Sequence, residues 1–164
     1  MKINGWTLKF HPVFSEQYKK LIDDVEKLKT KDPEKYGSSP VAKLLANIQK
    51  LIYEVIPNNP ASDEFQQGNT LGKTRRHWFR AKFNRRFRLF FRFRTTEKII
   101  IYCWVNDENT LRQSGAKTDP YQVFTKMLNK GNPPDSWEEL LKHSTDINDK
   151  TTSKDSIEIC SEEI

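Results

Sequence analysis

The sequence has few of the residues that form disulfides in small secreted proteins or bind structural metals. Two cysteines, Cys103 and Cys160, occur in 164 residues, and no cysteine–histidine spacing matches a metal site. No apolar run approaches the roughly 18 residues of a membrane-spanning helix, and residues 1–10 lack the apolar core of a signal peptide. These absences predict a cytoplasmic protein that requires no metal, cofactor or membrane.

Hydrophobic residues are also scarce, at 35%, yet aromatic residues reach 12%, which excludes disorder along the whole chain. The net charge of +6 is unevenly distributed. Residues 135–164 contain nine acids and three bases, so they carry −6 and residues 1–134 carry +12. We therefore predict a folded domain at residues 1–144 and an acidic, flexible tail at residues 145–164, which has too few apolar residues to offset its ordering entropy.

Hydrophobic periodicity predicts an α+β fold. Residues 4–10 alternate as a strand, two apolar stripes at residues 14–28 and 41–55 form a helical hairpin, and that hairpin ends before Pro57. Three strands follow at residues 77–83, 87–93 and 98–105, and Asp119-Pro120 opens a further helix. A short helix is expected after Pro133 and Pro134. The expected core order is β-α-α-β-β-β-α, with a small antiparallel sheet packed against the hairpin and a C-terminal helix.

The segment 73–94 is the most unusual part of the sequence because it contains ten bases and no acid. Eight of the ten are arginines, whose planar guanidinium suits phosphate. Like charges on adjacent strands repel one another, and a polyanion would relieve that repulsion. A solvated sheet face is the simpler interpretation, but the unbroken run favours a nucleic-acid surface. The residues expected to contact RNA are Arg75, Arg76, Arg85, Arg86, Arg92 and Lys117.

Five side chains from separate elements could perform chemistry on this surface. RNA carries its own nucleophile, the 2′-hydroxyl, so cleavage needs a base, cations around the phosphorane and a proton donor, but no metal. Surrounding arginines favour the neutral form of a lysine, which makes Lys82 the candidate base. The candidate catalytic residues are Arg80, Lys82, Arg88, Arg112 and Tyr121.

Four motifs resemble the YhaV toxins, a branch of the RelE/ParE superfamily of bacterial type II toxins. They are FRAKF at 79–83, FRLFFR at 87–92, WVNDENTLR at 104–112 and KTDPYQVFTKML at 117–128. The resemblance covers residues 3–144 and implies a RelE-like fold and an endoribonuclease that cleaves mRNA on the ribosome and so inhibits translation. It also implies a cognate antitoxin of the PrlF type, with an AbrB-like swapped hairpin, and a toxin–antitoxin complex that binds operator DNA.

The resemblance also implies roles for the five catalytic candidates. Lys82 is the base, and Arg80 and Arg88 hold the phosphate. Arg112 stabilises the phosphorane or protonates the leaving oxygen, and Tyr121 stacks on or orients a nucleobase. Lys117 lies in the same loop as Arg112.

Two further features have structural interpretations. Asp107 or Glu108 is expected to orient Arg112 or Arg88, and Asn109 to cap the loop. His77 is expected to point away from the face of Trp78, as an edge or core histidine. Two other functions remain open: a ParE-like inhibitor of DNA gyrase without nuclease activity, and a basic nucleic-acid-binding module without chemistry.

Overall fold

A mixed β-sheet with helices on both faces is built by residues 1–147, which are the residues that this computed structural model describes. Its strands are β1 (Lys2–Ile3), β2 (Trp6–Phe10), β3 (Phe79–Phe83), β4 (Phe87–Arg94), β5 (Ile99–Val105) and β6 (Thr145–Asp146). Its α-helices are α1 (Pro12–Lys31), α2 (Pro40–Lys50), α3 (Ile56–Asn58), α4 (Pro120–Asn129) and α5 (Trp137–His143). The strand order is β1-β2-β5-β4-β3, and β6 also pairs with β2. The predicted α+β class is confirmed.

The predicted helical hairpin is present, but its second helix ends differently. α1 and α2 begin at Pro12 and Pro40, each at a first helical position where a missing N–H costs nothing. After α2 the chain makes a π-helical turn, Leu51–Val55, and continues as α3. The prediction that the helix ends before Pro57 is therefore wrong, because Pro57 lies in the first turn of α3, where its ring is tolerated.

Two features of the sheet differ from the antiparallel prediction. β2 and β5 are parallel, with Leu8 opposite Ile100, because hydrophobic alternation reports which face a residue occupies and not which way its strand runs. Residues 4–10 are also not one strand. Asn4 and Gly5 have φ angles of 52° and 83° and turn the chain from β1 into the antiparallel strand β2, as an Asn-Gly pair favours.

Separate apolar clusters cover the two faces of the sheet. One contains Leu89, Phe91 and Tyr102 from the strands with the inner faces of α1 and α2. The other contains Trp78, Phe90 and Trp104 with residues of α4 and α5. Phe124 of α4 stacks on Phe90, with ring centroids 4.4 Å apart. This second cluster fixes α4 against β4 and β5, and it places Tyr121, in the first turn of α4, within hydrogen-bond distance of Arg80 and Arg88.

The folded domain extends beyond the predicted boundary at residue 144. β6 pairs with β2, Lys9 forms a 2.7 Å ion pair with Asp146, and Ile147 is 3% exposed. The predicted tail therefore begins no earlier than residue 148, and the remainder of that prediction lies outside the described residues. In residues 1–147 no helix is long and apolar enough to cross a membrane.

Candidate active site

The β3–β4 hairpin places three of the predicted catalytic residues on one face. Lys82 lies directly opposite Arg88, and Arg80 lies opposite Phe90, whose ring is in the cluster beneath α4. Directly opposed residues of an antiparallel pair share a face. Arg80, Lys82 and Arg88, which were expected to converge on one surface, are therefore neighbours.

The hydroxyl oxygen of Tyr121 is the point at which the two arginines meet. The Nε–H of Arg80 donates to it at 2.9 Å, and the Nε–H of Arg88 donates at 3.1 Å. These three side chains are only 5–8% exposed. One phenol oxygen thus fixes the orientation of two guanidinium planes that would otherwise repel each other.

The other hydrogen bonds of these guanidinium groups also go to neutral oxygens. Arg80 Nη1 donates to the carbonyl of Glu64 at 2.8 Å. Arg88 Nη1 donates to the carbonyls of Arg85 and Phe87, at 3.0 and 2.8 Å. No carboxylate of residues 1–147 forms an ion pair with Arg80 or Arg88. Buried charges are normally paired, so the two cations form a preorganised site for an anion.

Arg112 completes the site from a loop between β5 and α4. Its guanidinium lies over the ring of Tyr121, 4.8 Å from the centroid. Its Nη1 donates to Asp119 Oδ1 at 2.7 Å, and its side chain is 32% exposed. The Tyr121 ring is covered by Arg112 and contacts Phe90 edge-on, so the expected stacking of Tyr121 on a nucleobase does not fit its surroundings.

Lys82 differs from the three arginines because its side chain is exposed at the edge strand of the sheet. Within the described part of the chain it forms no side-chain hydrogen bond or ion pair. An amine in this position, across the strand pair from Arg88, is accessible to a substrate bound by the arginines.

The NDEN segment is structural, although not in the way that the sequence suggested. Asp107 accepts hydrogen bonds from the Asn109 N–H and the Thr110 hydroxyl, both at 2.9 Å, so it shapes its own loop and does not orient an arginine. Asn106 is the residue that matters here. Its Oδ1 accepts from the Arg88 N–H at 2.6 Å, and its Nδ2 donates to the Arg86 and Thr110 carbonyls.

Five of the six residues predicted to contact RNA are at least partly exposed. Arg75 and Arg76 donate to the side-chain oxygens of Asn129 and Asn69, and neither forms an ion pair with a carboxylate of residues 1–147. Arg86 donates to the Arg112 carbonyl at 3.0 Å. Arg85 and Lys117 are exposed as well.

Arg92 does not fit the prediction that it contacts RNA. It is 9% exposed, lies between the rings of Trp78 and Trp137, and donates to the Asp135 carbonyl at 2.6 Å. Burial lowers the pKa of its guanidinium. Arg92 is a packing residue that fixes α5 to the sheet.

His77 was expected to point away from Trp78, and this expectation is wrong. β3 begins only at Phe79, so the alternation does not extend to residue 77. His77 Nε2 and Trp78 Nε1 both contact Asp135 Oδ1, at 2.9 and 2.7 Å. Partial burial raises the pKa of Asp135, but these two hydrogen bonds and the nearby charges of His77 and Arg92 together outweigh it, and the pKa falls below its usual value.

Asp119 and Asn106 are the residues of the site that sequence reasoning missed. Asp119 was predicted as a helix cap, and it is one, because its Oδ2 accepts from the Tyr121 N–H at 3.1 Å. Its contact with Arg112 had no sequence signal, since the two residues lie seven positions apart, at the two ends of an irregular loop. No group of three or more His, Cys, Asp or Glu side chains in the described residues could hold a metal ion.

Comparison with known proteins assigns the family. The model of a family described as a toxin with endonuclease activity, of a toxin–antitoxin system, matches residues 8–145. The ribonuclease toxin YhaV of Escherichia coli K12 is 50% identical over 145 residues, which is 87% of this chain and 94% of that relative. Toxin YhaV of E. coli O157:H7 matches equally. No solved structure matches. The chain belongs to the YhaV toxin family.

Proposed function

We propose that this protein is the toxin of a type II toxin–antitoxin system and acts as an endoribonuclease on mRNA at the ribosome. The observation that carries the proposal is the pair of buried guanidinium groups, Arg80 and Arg88, which share the Tyr121 hydroxyl and have no carboxylate partner in residues 1–147. The family description and the relative named as a ribonuclease toxin support the same activity.

The mechanism that we propose uses the substrate's own 2′-hydroxyl. Arg80 and Arg88 bind the scissile phosphate through their Nη2 groups, because Nε of each donates to Tyr121 and Nη1 to backbone carbonyls. The two guanidinium groups stabilise the charge that develops on the phosphorane. Lys82 removes the proton of the 2′-hydroxyl, and the 2′-oxygen then attacks the adjacent phosphorus to form a 2′,3′-cyclic phosphate. The bond from phosphorus to the 5′-oxygen breaks, and the 5′-oxygen takes up a proton from solvent and leaves as a hydroxyl. DNA has no 2′-hydroxyl, so the same residues cleave only RNA.

Arg112 and Tyr121 have supporting roles in this mechanism. Arg112 is the more exposed of the arginines around Tyr121 and is positioned to stabilise the phosphorane from the loop side. Tyr121 orients Arg80 and Arg88 through its hydroxyl oxygen, and nucleobase stacking is assigned to no residue. The remaining basic residues, Arg75, Arg76, Arg85, Arg86 and Lys117, bind the flanking phosphates.

A partner follows from the same surface. A toxin–antitoxin system includes an antitoxin, and an acidic segment of that antitoxin would neutralise the cations that otherwise bind RNA. We propose that this antitoxin is of the PrlF type, with an AbrB-like swapped hairpin, that the complex binds operator DNA, and that the toxin acts in the cytoplasm.

Charge and proton transfer at Lys82 can be separated by two substitutions. Lys82→Arg keeps the positive charge but does not deprotonate near neutral pH, whereas Lys82→Ala removes both properties. Both variants are expected to lose about a hundredfold or more in the rate of RNA cleavage, while Lys82→Arg retains the RNA affinity of the wild type. Lys20→Ala, at an exposed lysine of α1, is the matched control.

Three outcomes would contradict the proposal. Wild-type cleavage rates in both Lys82 variants would remove Lys82 from the mechanism. Intact mRNA with broken DNA in cells that express the wild-type protein would favour a gyrase inhibitor, and RNA binding without any cleavage product would favour a binding module.

A further inference from the structure

The carboxylate of Asp119 is the most heavily used acceptor near the site. Its Oδ1 accepts from Arg112 Nη1 at 2.7 Å and from the Gln113 N–H at 2.8 Å, and its Oδ2 accepts from the Tyr121 N–H at 3.1 Å. The side chain is 2% exposed. One carboxylate therefore binds the loop that carries Arg112 to the helix that carries Tyr121.

This arrangement matters because, of the four cations predicted to be catalytic, Arg112 alone lies outside a helix or strand. Arg80 and Arg88 lie on strands and are fixed by the Tyr121 hydroxyl, whereas Arg112 lies in a loop. A long side chain on a loop has many rotamers, and a fixed carboxylate selects one of them. The rotamer selected here lies across the Tyr121 ring.

We propose that Asp119 is a positioning residue for RNA cleavage, acting through Arg112; this inference rests on the proposed ribonuclease function. Asp119 orients Arg112 toward the phosphate bound by Arg80 and Arg88. It also compensates part of the Arg112 charge, so Arg112 adds less to substrate binding than an unpaired arginine would. Loss of Asp119 therefore lowers kcat and leaves KM unchanged or slightly reduced, because a negative charge near the RNA disappears.

Replacing Asp119 with serine, but not with asparagine, separates the cap from the contact with Arg112. A serine hydroxyl caps α4 as well as aspartate does but provides no carboxylate for Arg112. An asparagine has a single acceptor oxygen, so Asp119→Asn can satisfy either the helix cap or the loop donors, but not both. Ser39→Ala is the matched control, because it removes the cap of α2, in which Ser39 Oγ accepts from the Ala42 N–H, on the far face of the sheet.

The experiment measures kcat and KM for a short RNA, with thermal midpoints recorded for each variant. Asp119→Ser is expected to fold, to lose about tenfold to a hundredfold in kcat from misplacement of Arg112, and to keep its KM. Ser39→Ala is expected to lower the thermal midpoint and leave kcat unchanged. In an Arg112→Met background, Asp119→Ser is expected to have little further effect on kcat, because the guanidinium group that Asp119 positions is already absent.

The outcomes distinguish the two proposals. If Arg112→Met cleaves as wild type, the proposed role of Arg112 is wrong. If Arg112→Met is slow but Asp119→Ser cleaves as wild type, or if the two losses multiply, Asp119 does not act through Arg112 and this inference is overturned. A rise in KM with unchanged kcat also overturns it.

Discussion

Replacing Tyr121 with phenylalanine removes a single oxygen atom on which the geometry of the site depends. That oxygen accepts from two charged donors, Arg80 Nε and Arg88 Nε, at 2.9 and 3.1 Å. A hydrogen bond to a charged group contributes about 1.5–3 kcal/mol. Water can replace part of this loss, because Arg80 and Arg88 retain some exposure, so we expect the free energy of unfolding to fall by about 2 kcal/mol.

The effect on catalysis is expected to be larger than the effect on stability. Without their shared acceptor, the two guanidinium groups repel each other and move apart, and a displacement of about 1 Å can reduce a rate about a hundredfold. Single-turnover cleavage of a short RNA measures this loss. Binding of the same RNA with a 2′-deoxy nucleotide at the scissile position reports the geometry of the phosphate site without any reaction.

A matched control is available on the opposite face of the sheet. The hydroxyl of Tyr102 is buried and donates to the Ile52 carbonyl at 2.7 Å. Tyr102→Phe is expected to reduce stability by about 1 kcal/mol and to cleave RNA at the wild-type rate. The reasoning is refuted if folded Tyr121→Phe cleaves RNA and binds the unreactive analogue as well as the wild type does.

Three other predictions concern stability and binding. Burial and the nearby His143 lower the pKa of His11 from 6.5 to about 4. Between pH 6.5 and pH 4 the unfolded chain therefore binds a proton that the folded chain does not, and stability is lost as the pH falls through this range. Urea unfolding is expected to show that the free energy of unfolding falls by up to about 2 kcal/mol from pH 7 to pH 5. Asparagine can also cap the helix but does not titrate, so His11→Asn should reduce this pH dependence, and an unchanged pH dependence in that variant would contradict the prediction. Arg85 has a φ angle of 64°, so Arg85→Gly is expected to stabilise the fold by about 1 kcal/mol while weakening RNA binding, and a lower thermal midpoint would argue against it. Arg92→Met is expected to lose about 2 kcal/mol of stability and to keep the salt dependence of RNA binding. Arg86→Met should instead reduce the slope of the logarithm of RNA affinity against the logarithm of salt concentration by about 0.7. The reverse pattern would place Arg92 in the RNA surface.

The sequence predicted the parts of the site that depend on local periodicity. Alternation is strict within a strand, so it correctly placed Arg80 and Lys82 on one face of β3, and the pairing of β3 with β4 brings Arg88 to the same face. It failed at His77, because the strand begins two residues later. The Asp-Pro pair likewise located the start of α4 at Pro120.

Contacts between distant elements could not be predicted in this way. Arg92 shares a face with Arg88, but whether an arginine on that face reaches solvent depends on α5, whose Trp137 covers it. The convergence of two guanidinium groups on the Tyr121 oxygen depends on how α4 crosses the sheet, which the packing of Phe124 determines. The parallel pairing of β2 with β5 is equally non-local.

The most direct test of the proposed mechanism is the chemistry of the cleaved RNA ends in the presence of a metal chelator. Attack by the 2′-hydroxyl predicts a 2′,3′-cyclic phosphate on one fragment and a 5′-hydroxyl on the other, and it predicts no cleavage where the scissile nucleotide is 2′-deoxy. A 3′-hydroxyl with a 5′-phosphate, or cleavage of the 2′-deoxy substrate, would contradict the mechanism built on Lys82, Arg80 and Arg88.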